Sequence, residues 1–234
     1  LANNLQSFPV GIIGVSFAVA AFPALSRTLA LGQREAYAET MTATVRRILF
    51  FLLPTSALFM LLRLQIVRLI LGQGHFSLAD AQRTASVLGW FSLSLVAQGL
   101  IPLCARAFYA MQNTWTPLWI GLIAEGVNLG LAYALRPALG ITGLAIAFSA
   151  AGFVQLIFLW MGLQRRFPLS GRGMLNALWK TVVATGASAL AVFFFREWIG
   201  WAFPSLSFWS VAFQTAVCLF VGGAFFILLA WLLR

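Results

Sequence analysis

Residues 141–163 read ITGLAIAFSAAGFVQLIFLWMGL and contain no charged side chain. An α-helix rises 1.5 Å per residue, so a run of this length reaches about 35 Å, enough to cross the roughly 30 Å hydrocarbon core of a bilayer. The run also lacks the alternation of apolar and polar residues that is typical of membrane β-barrel strands. These residues therefore predict a membrane-spanning helix.

Six further apolar runs of similar length lie on both sides of this one. Most are bounded by arginine, proline or glycine, which is typical of the ends of spanning helices. We therefore expect an all-α membrane protein with about seven transmembrane helices. The other six predicted spans are residues 5–25, 45–62, 85–105, 118–135, 175–195 and 208–233.

The composition excludes a soluble enzyme. Of the 234 residues 62% are hydrophobic and 9% are charged, whereas soluble domains carry about 25% charged residues. Five carboxylates and one histidine are scattered along the chain, without a phosphate-binding loop or a metallohydrolase motif. We expect no enzymatic activity and no cofactor. If the protein uses a source of energy, we expect it to be an ion gradient. Since the chain opens at Leu1 without an initiator methionine, we expect it to be part of a longer protein.

The net charge of +10 comes from basic residues that flank the apolar runs. This is a pattern of membrane topology, not of nucleic-acid binding. When the connections are assigned alternately to the two sides, ten basic residues fall on one side and five on the other, so the first side is predicted to be cytoplasmic. The N-terminus is then outside and the C-terminus inside. The ten are Arg27, Arg34, Arg46, Arg47, Arg106, Arg165, Arg166, Arg172, Lys180 and Arg234; the five are Arg63, Arg68, Arg83, Arg136 and Arg196.

Two connections are predicted to be structured. Residues 33–42 have helical propensity and are expected to lie along the cytoplasmic surface. Residues 65–85 predict an external helical hairpin that turns at Gly72 and Gly74, with Ser77 as a capping residue. The single histidine, His75, lies at this turn and is interpreted as an exposed loop residue.

One carboxylate lies inside a predicted span. Glu125 is near the middle of residues 118–135, and Asn128 follows three residues later on the same helix face. Ser149 and Gln155 in the next span are predicted at a similar depth and could add oxygens. Because a charge within the membrane is costly, the group is a candidate site for a proton or sodium ion. The alternative is a neutral Glu125 that is hydrogen-bonded to a neighbouring helix.

The first span begins with polar side chains, which are predicted to line a cavity. They include Asn3, Asn4 and Ser7, followed by Pro9 and a run of small residues that permits close helix packing. Arg106, at the cytoplasmic end of the third span, is a further candidate for substrate contact. For Arg106 we favour the alternative of an arginine that extends to the membrane interface.

Four strings occur in one order at consistent separations: LQSFPVGIIGVSFAVAAFPALS, LGQGHFSLADAQRTA, ARAFYAMQNTWTP and GITGLAIAFSAA. The chain carrying them resembles the MurJ (MviN) family of bacterial lipid II flippases, within the multidrug/oligosaccharidyl-lipid/polysaccharide exporter superfamily. The resemblance covers residues 1–165, as helices 8–12 of that family. Residues 166–234 match helices 13 and 14 in hydropathy alone.

This resemblance implies one bundle, the C-terminal half, of a fourteen-helix transporter in the bacterial cytoplasmic membrane. It implies alternating-access transport of an undecaprenyl-diphosphate-linked peptidoglycan precursor, coupled to a Na⁺ or H⁺ gradient or to the membrane potential. The expected partners are this precursor, membrane lipids and the N-terminal half of the transporter. Alternatives are a flippase for another polyprenyl-diphosphate-linked oligosaccharide, and a membrane scaffold without transport.

The chain also departs from the family. Some members carry an arginine and a glutamate where this chain has Asn4 and Ser7, so a phosphate contact at Asn4 is in doubt. Many members carry an aspartate where this chain has Asn113, which is still able to cap a helix.

Overall fold

The computed structural model describes residues 2–71, 78–167, 171–202 and 208–233, which form helices joined by short turns. No strand occurs in these ranges, in agreement with the predicted all-α fold. The helices are α1 (Ala2–Pro9), a π-helix (Val10–Val15), α2 (Ser16–Ala30), α3 (Arg34–Leu61), α4 (Arg63–Leu71), α5 (Leu78–Ala110), α6 (Trp115–Leu139), α7 (Ile141–Gln164), α8 (Gly171–Ala202) and α9 (Phe208–Leu232).

Seven helical segments of the described residues are long and apolar enough to cross a membrane, which confirms the predicted number. The first comprises α1, the π-helix and α2, which follow one another without a break from Ala2 to Ala30. The other six lie in α3, α5, α6, α7, α8 and α9. Most of the observed helices are several residues longer than the predicted spans, because polar residues at each end continue the helix beyond the apolar run.

The prediction of a separate surface helix at residues 33–42 is wrong. These residues are helical, but from Arg34 onward they form the first turns of the 28-residue helix α3. Tyr37 and Met41 are fully buried in the main core cluster, whereas Glu35 and Glu39 are exposed, so one face of this end of α3 packs into the bundle and the other lies on its surface.

The predicted external hairpin is confirmed in its first arm, which is helix α4. Its second arm is not a separate helix, since residues 78–85 are the first turns of the 33-residue helix α5. The predicted turn, including Gly72, Gly74, His75 and Ser77, lies outside the described residues.

Helix α5 lies at the centre of the bundle and contacts α1, α2, α3, α4 and α7. Helix α6 packs mainly on α7, and α8 packs on α3 and α9. Serine hydroxyls join several of these helices by donating to backbone carbonyls: Ser56 to Ser92 on α5 at 2.6 Å, and Ser188 to Gly222 on α9 at 2.7 Å. Because a bilayer core offers no water to such groups, these bonds fix the helices relative to one another.

Candidate functional site

A cavity of about 670 Å³ lies between the starts of α1, α5 and α7. The predicted topology places this end of the bundle outside. The walls combine a cation and several hydrogen-bonding groups with apolar side chains. The polar lining residues are Asn3, Arg83, Thr84, Ser86 and Thr142, and the larger apolar ones are Val87, Phe91, Ile141 and Leu144.

A buried amide holds Asn3 in place at this cavity. Gln6 is 3% exposed and donates through Nε2 to Asn3 Oδ1 at 2.8 Å. Ser94 on α5 donates to Gln6 Oε1 at 3.1 Å. Gln6 belongs to the polar start of the first span that was predicted to line a cavity, and it supports Asn3 from behind the cavity wall. A glutamine placed among apolar residues needs partners on a neighbouring helix.

Asn4 and Ser7 were predicted to line a cavity together with Asn3. Both are exposed and neither borders the cavity described above. Ser7 donates its hydroxyl hydrogen to the Asn3 carbonyl of its own helix at 2.9 Å. The structure therefore places Asn3 alone of these three at the cavity, and a lining role for Asn4 and Ser7 stays a prediction.

Arg106 lies far from Asn3 and does not share its cavity. It is twenty residues beyond Ser86 on the same helix, which corresponds to about 30 Å along α5. Its side chain is partly buried and forms no hydrogen bond or ion pair with the part of the chain that the structure describes. Arg106 therefore lies apart from the cavity at Asn3, and a contact between Arg106 and the substrate stays a prediction.

Glu125 and Asn128 lie together on α6, as their spacing predicts. Asn128 Nδ2 donates to Glu125 Oε2 at 3.3 Å, and the Glu125 side chain is exposed. This bond is within one helix, so the alternative of a bond from Glu125 to a neighbouring helix has no counterpart in the described residues.

Ser149 does not join this pair, which corrects its predicted place beside Glu125. It is 6% exposed and donates to the Trp90 carbonyl of α5 at 3.0 Å. Gln155, the other residue predicted to add an oxygen, does face α6, with its Nε2 3.6 Å from where a Cβ of Gly121 would lie. Gln155 is six positions beyond Ser149, which directs their side chains about 120° apart around the helix axis.

The turn between α5 and α6 contains the predicted cap. The backbone N–H of Thr116 donates to Asn113 Oδ1 at 3.1 Å, and Asn113 Nδ2 donates to Thr116 Oγ1 at 2.8 Å. Gln112 before it has a φ of 57°, a left-handed conformation that closes the tight turn. The prediction that Asn113 caps the first turn of α6 is therefore confirmed.

The family model described as Lipid II flippase MurJ matches residues 1–218 of this chain. The chain belongs to the MurJ family. The match continues past residue 165 through α8 and into α9, so it covers more than the strings quoted from the sequence. With seven spans, this MurJ-family chain is a multi-pass protein of the bacterial cytoplasmic membrane.

Relatives in several bacteria are each named probable lipid II flippase MurJ. The chain is 31% identical over 209 residues to the relative from Rhizobium meliloti (strain 1021), covering 87% of this chain and 38% of that protein. It is 27% identical over 208 residues to the relative from Vibrio cholerae, covering 89% and 38%. The chain thus spans well under half the length of the MurJ relatives it matches.

A solved structure titled "Lipid II flippase MurJ, inward closed conformation" has the same fold. It matches with a TM-score of 0.74 at 21% sequence identity. The match covers 96% of this chain and 44% of that one. The bundle described above is therefore a MurJ-type arrangement of helices.

Proposed function

We propose that this chain is one bundle, the C-terminal half, of a transporter that moves lipid II across the cytoplasmic membrane by alternating access. The match of residues 1–218 to the lipid II flippase family is the observation that carries the proposal. Because the chain spans 38% of its Rhizobium relative, the proposed activity belongs to the complete transporter with its N-terminal half.

The two ends of the bundle differ in a way that supports alternating access. The end with Asn3 and Arg83 contains the cavity of about 670 Å³, whereas the opposite end has a smaller one of about 480 Å³ at residues 32–36 beside a core packed around aromatic side chains. There Tyr37 and Phe167 have ring centroids 4.5 Å apart, and the Tyr37 hydroxyl donates to the Ala107 carbonyl at 3.0 Å. Hydrogen-bond donors and one guanidinium at the open end suit the diphosphate of the proposed substrate.

The proposed transporter uses Glu125 and Asn128 to couple transport to a Na⁺ or H⁺ gradient. An exposed carboxylate that faced lipid would cost about 2.5–3.5 kcal/mol. This cost supports a water-filled space or a further helix against this face of α6 in the complete transporter. Carboxylate and amide oxygens suit a sodium ion, and a carboxylate alone suits a proton.

Glu125→Gln in the full-length protein is expected to lower the rate of lipid II translocation at least about fivefold. The amide neither takes up a proton nor supplies an anionic ligand, while its size is nearly unchanged. Glu39→Gln is the matched control, since Glu39 is exposed on α3 outside this group. Translocation measured in vesicles at equal protein levels tests this, and equal rates for Glu125→Gln and wild type would remove Glu125 from the mechanism.

The function is tested in a bacterium whose own lipid II flippase can be switched off. Expression of the full-length protein is expected to restore growth and to prevent the accumulation of lipid II in the inner leaflet. Accumulation that continues despite correct membrane insertion would contradict the proposal and point to another lipid-linked substrate or to a scaffold.

The proposed topology is tested by labelling. A cysteine at Leu139, the last residue of α6, is expected to react with an impermeant thiol reagent added outside intact cells, and one at Thr114, between α5 and α6, is not. The two native cysteines, Cys104 and Cys218, are buried and give little background. Labelling of the Thr114 position alone would invert the topology.

A further inference from the structure

Two polar side chains on one face of α3 are buried without hydrogen-bond partners. Thr42 is 4% exposed, and its Oγ1 has no hydrogen-bond partner among the described residues. The Nε atom of Arg46 is also buried and has no such partner. The two residues are four apart and so lie one above the other on the helix. Side chains lean toward the N-terminus of a helix, so Arg46 and Thr42 share one face of α3 on which one ligand can reach both.

The Arg46 guanidinium lies against the start of α8. Arg46 Nη2 is 2.6 Å from where a Cβ of Gly173 would lie, so the absence of a side chain at Gly173 leaves the space that the guanidinium occupies. Gly173 is the third residue of α8, within the first turn, whose backbone N–H groups have no partner inside the helix.

This arrangement brings like charges together. The start of a helix carries roughly half a positive charge, and a guanidinium beside it is repelled. No carboxylate among the described residues forms an ion pair with Arg46, whose neighbour Arg47 is also cationic. A buried hydroxyl, a guanidinium and the positive end of a helix together offer an anion hydrogen bonds and favourable charge.

We propose that Thr42, Arg46 and the first turn of α8 bind the phosphate group of a membrane lipid. Phosphate fits because it accepts hydrogen bonds from a guanidinium, a hydroxyl and helix N–H groups at once. A lipid fits because the span of α8 begins at Gly173, at the end of the bundle that the arginines predict to be cytoplasmic. The phosphate belongs either to an anionic phospholipid of the inner leaflet or to a polyprenyl diphosphate. The proposal does not depend on which substrate the transporter moves.

The site is tested by native mass spectrometry of the full-length protein titrated with phosphatidylglycerol. Arg46→Gln is expected to weaken binding of the first lipid about tenfold, and Thr42→Val about threefold, as loss of a charged and of a neutral hydrogen bond implies. Arg47→Gln is the matched control: it removes the same charge from the next residue, whose side chain is exposed, and is expected to stay within about twofold.

Gly173→Ala provides a second variant that leaves every charge in place. Its methyl group would displace the Arg46 guanidinium from its place beside α8, so we expect a measurable loss of binding, smaller than that of Arg46→Gln, whereas the alanine favours the helix. This variant keeps the proposal testable if Arg46→Gln impairs folding. Unchanged binding in Gly173→Ala, or equal losses in the Arg46 and Arg47 variants, would overturn the proposal.

Two competitors identify the source of the phosphate. Displacement of phosphatidylglycerol by undecaprenyl diphosphate in the wild type, but not in Arg46→Gln, would support the site with a polyprenyl diphosphate as its ligand. Failure of that competitor, with Arg46-dependent phosphatidylglycerol binding intact, would support the site with a phospholipid as its ligand. Competition by inorganic phosphate at millimolar concentration would overturn the assignment to a lipid.

Discussion

Replacing Gly14 by alanine is expected to destabilise the helical bundle by about 3 kcal/mol, the upper end of the usual range for overpacking. A Cβ at this position would lie 2.5 Å from Gly99 Cα and 2.6 Å from Gly99 O, far inside van der Waals contact. The obstacle is backbone, so no side-chain rotation relieves it. The first span and α5 would have to separate, with loss of the packing that holds membrane helices together.

Gly11 provides a close control for this effect. It lies in the same π-helix, Val10–Val15, but no atom lies within 4 Å of the position of its Cβ. Gly11→Ala is therefore expected to leave the melting temperature of the full-length protein unchanged or slightly raised, whereas Gly14→Ala lowers it by several degrees. Equal melting temperatures for the two variants would show that the first span and α5 do not approach this closely.

The π-helix explains why Gly14 meets Gly99. Pro9 has no backbone N–H and its ring displaces the carbonyl four residues earlier, so the regular bonding of the α-helix is interrupted there. The chain continues with wider π-type turns over Val10–Val15 and returns to an α-helix at Ser16. The sequence predicts a bend from Pro9, but the register shift that directs Gly14 toward α5 follows from backbone geometry that a residue pattern does not encode.

Apolar runs predicted the number and order of the spans because each crossing of the bilayer core demands about 20 consecutive apolar residues. They did not predict where the helices end, since a helix continues through residues that suit either water or protein contact. Residues 33–42 illustrate this: their charges suggested a surface helix, yet Tyr37 is buried because its ring packs on Phe167 and its hydroxyl bonds to Ala107. Those contacts come from residues about 70 and 130 positions away, beyond any local pattern.

The candidate site was predictable where it depends on one helix and not where it depends on two. Glu125 with Asn128, and Asn113 with Thr116, are each three residues apart, and the structure brings both pairs together. Ser149 was expected beside Glu125, but helix rotation directs it to Trp90 of α5. Depth along a span can be read from the sequence, whereas rotation about the axis depends on how whole helix faces pack.

Phe108→Ala is expected to destabilise the end of the bundle opposite to the Asn3 cavity by about 3 kcal/mol. This value is at the low end for truncation of a buried phenylalanine, because lipid and not water surrounds the separated helices. Phe108 is fully buried against α7, where its Cζ is 3.0 Å from the position of a Gly162 Cβ. The Arg166 guanidinium lies 5.8 Å from its ring centroid. Truncation would leave a cavity between α5 and α7 and remove this cation–π contact at once.

Tyr109 supplies the control for this variant, because it is the next residue of α5 and its side chain is 45% exposed. Tyr109→Ala removes an aromatic ring of similar size, yet few packing contacts are lost, so its melting temperature is expected to stay close to that of the wild type. Phe108→Leu should fall between the two, since leucine refills part of the cavity without restoring the contact with Arg166. Equal melting temperatures for Phe108→Ala and Tyr109→Ala would show that the packing of Phe108 between α5 and α7 does not hold this end of the bundle closed.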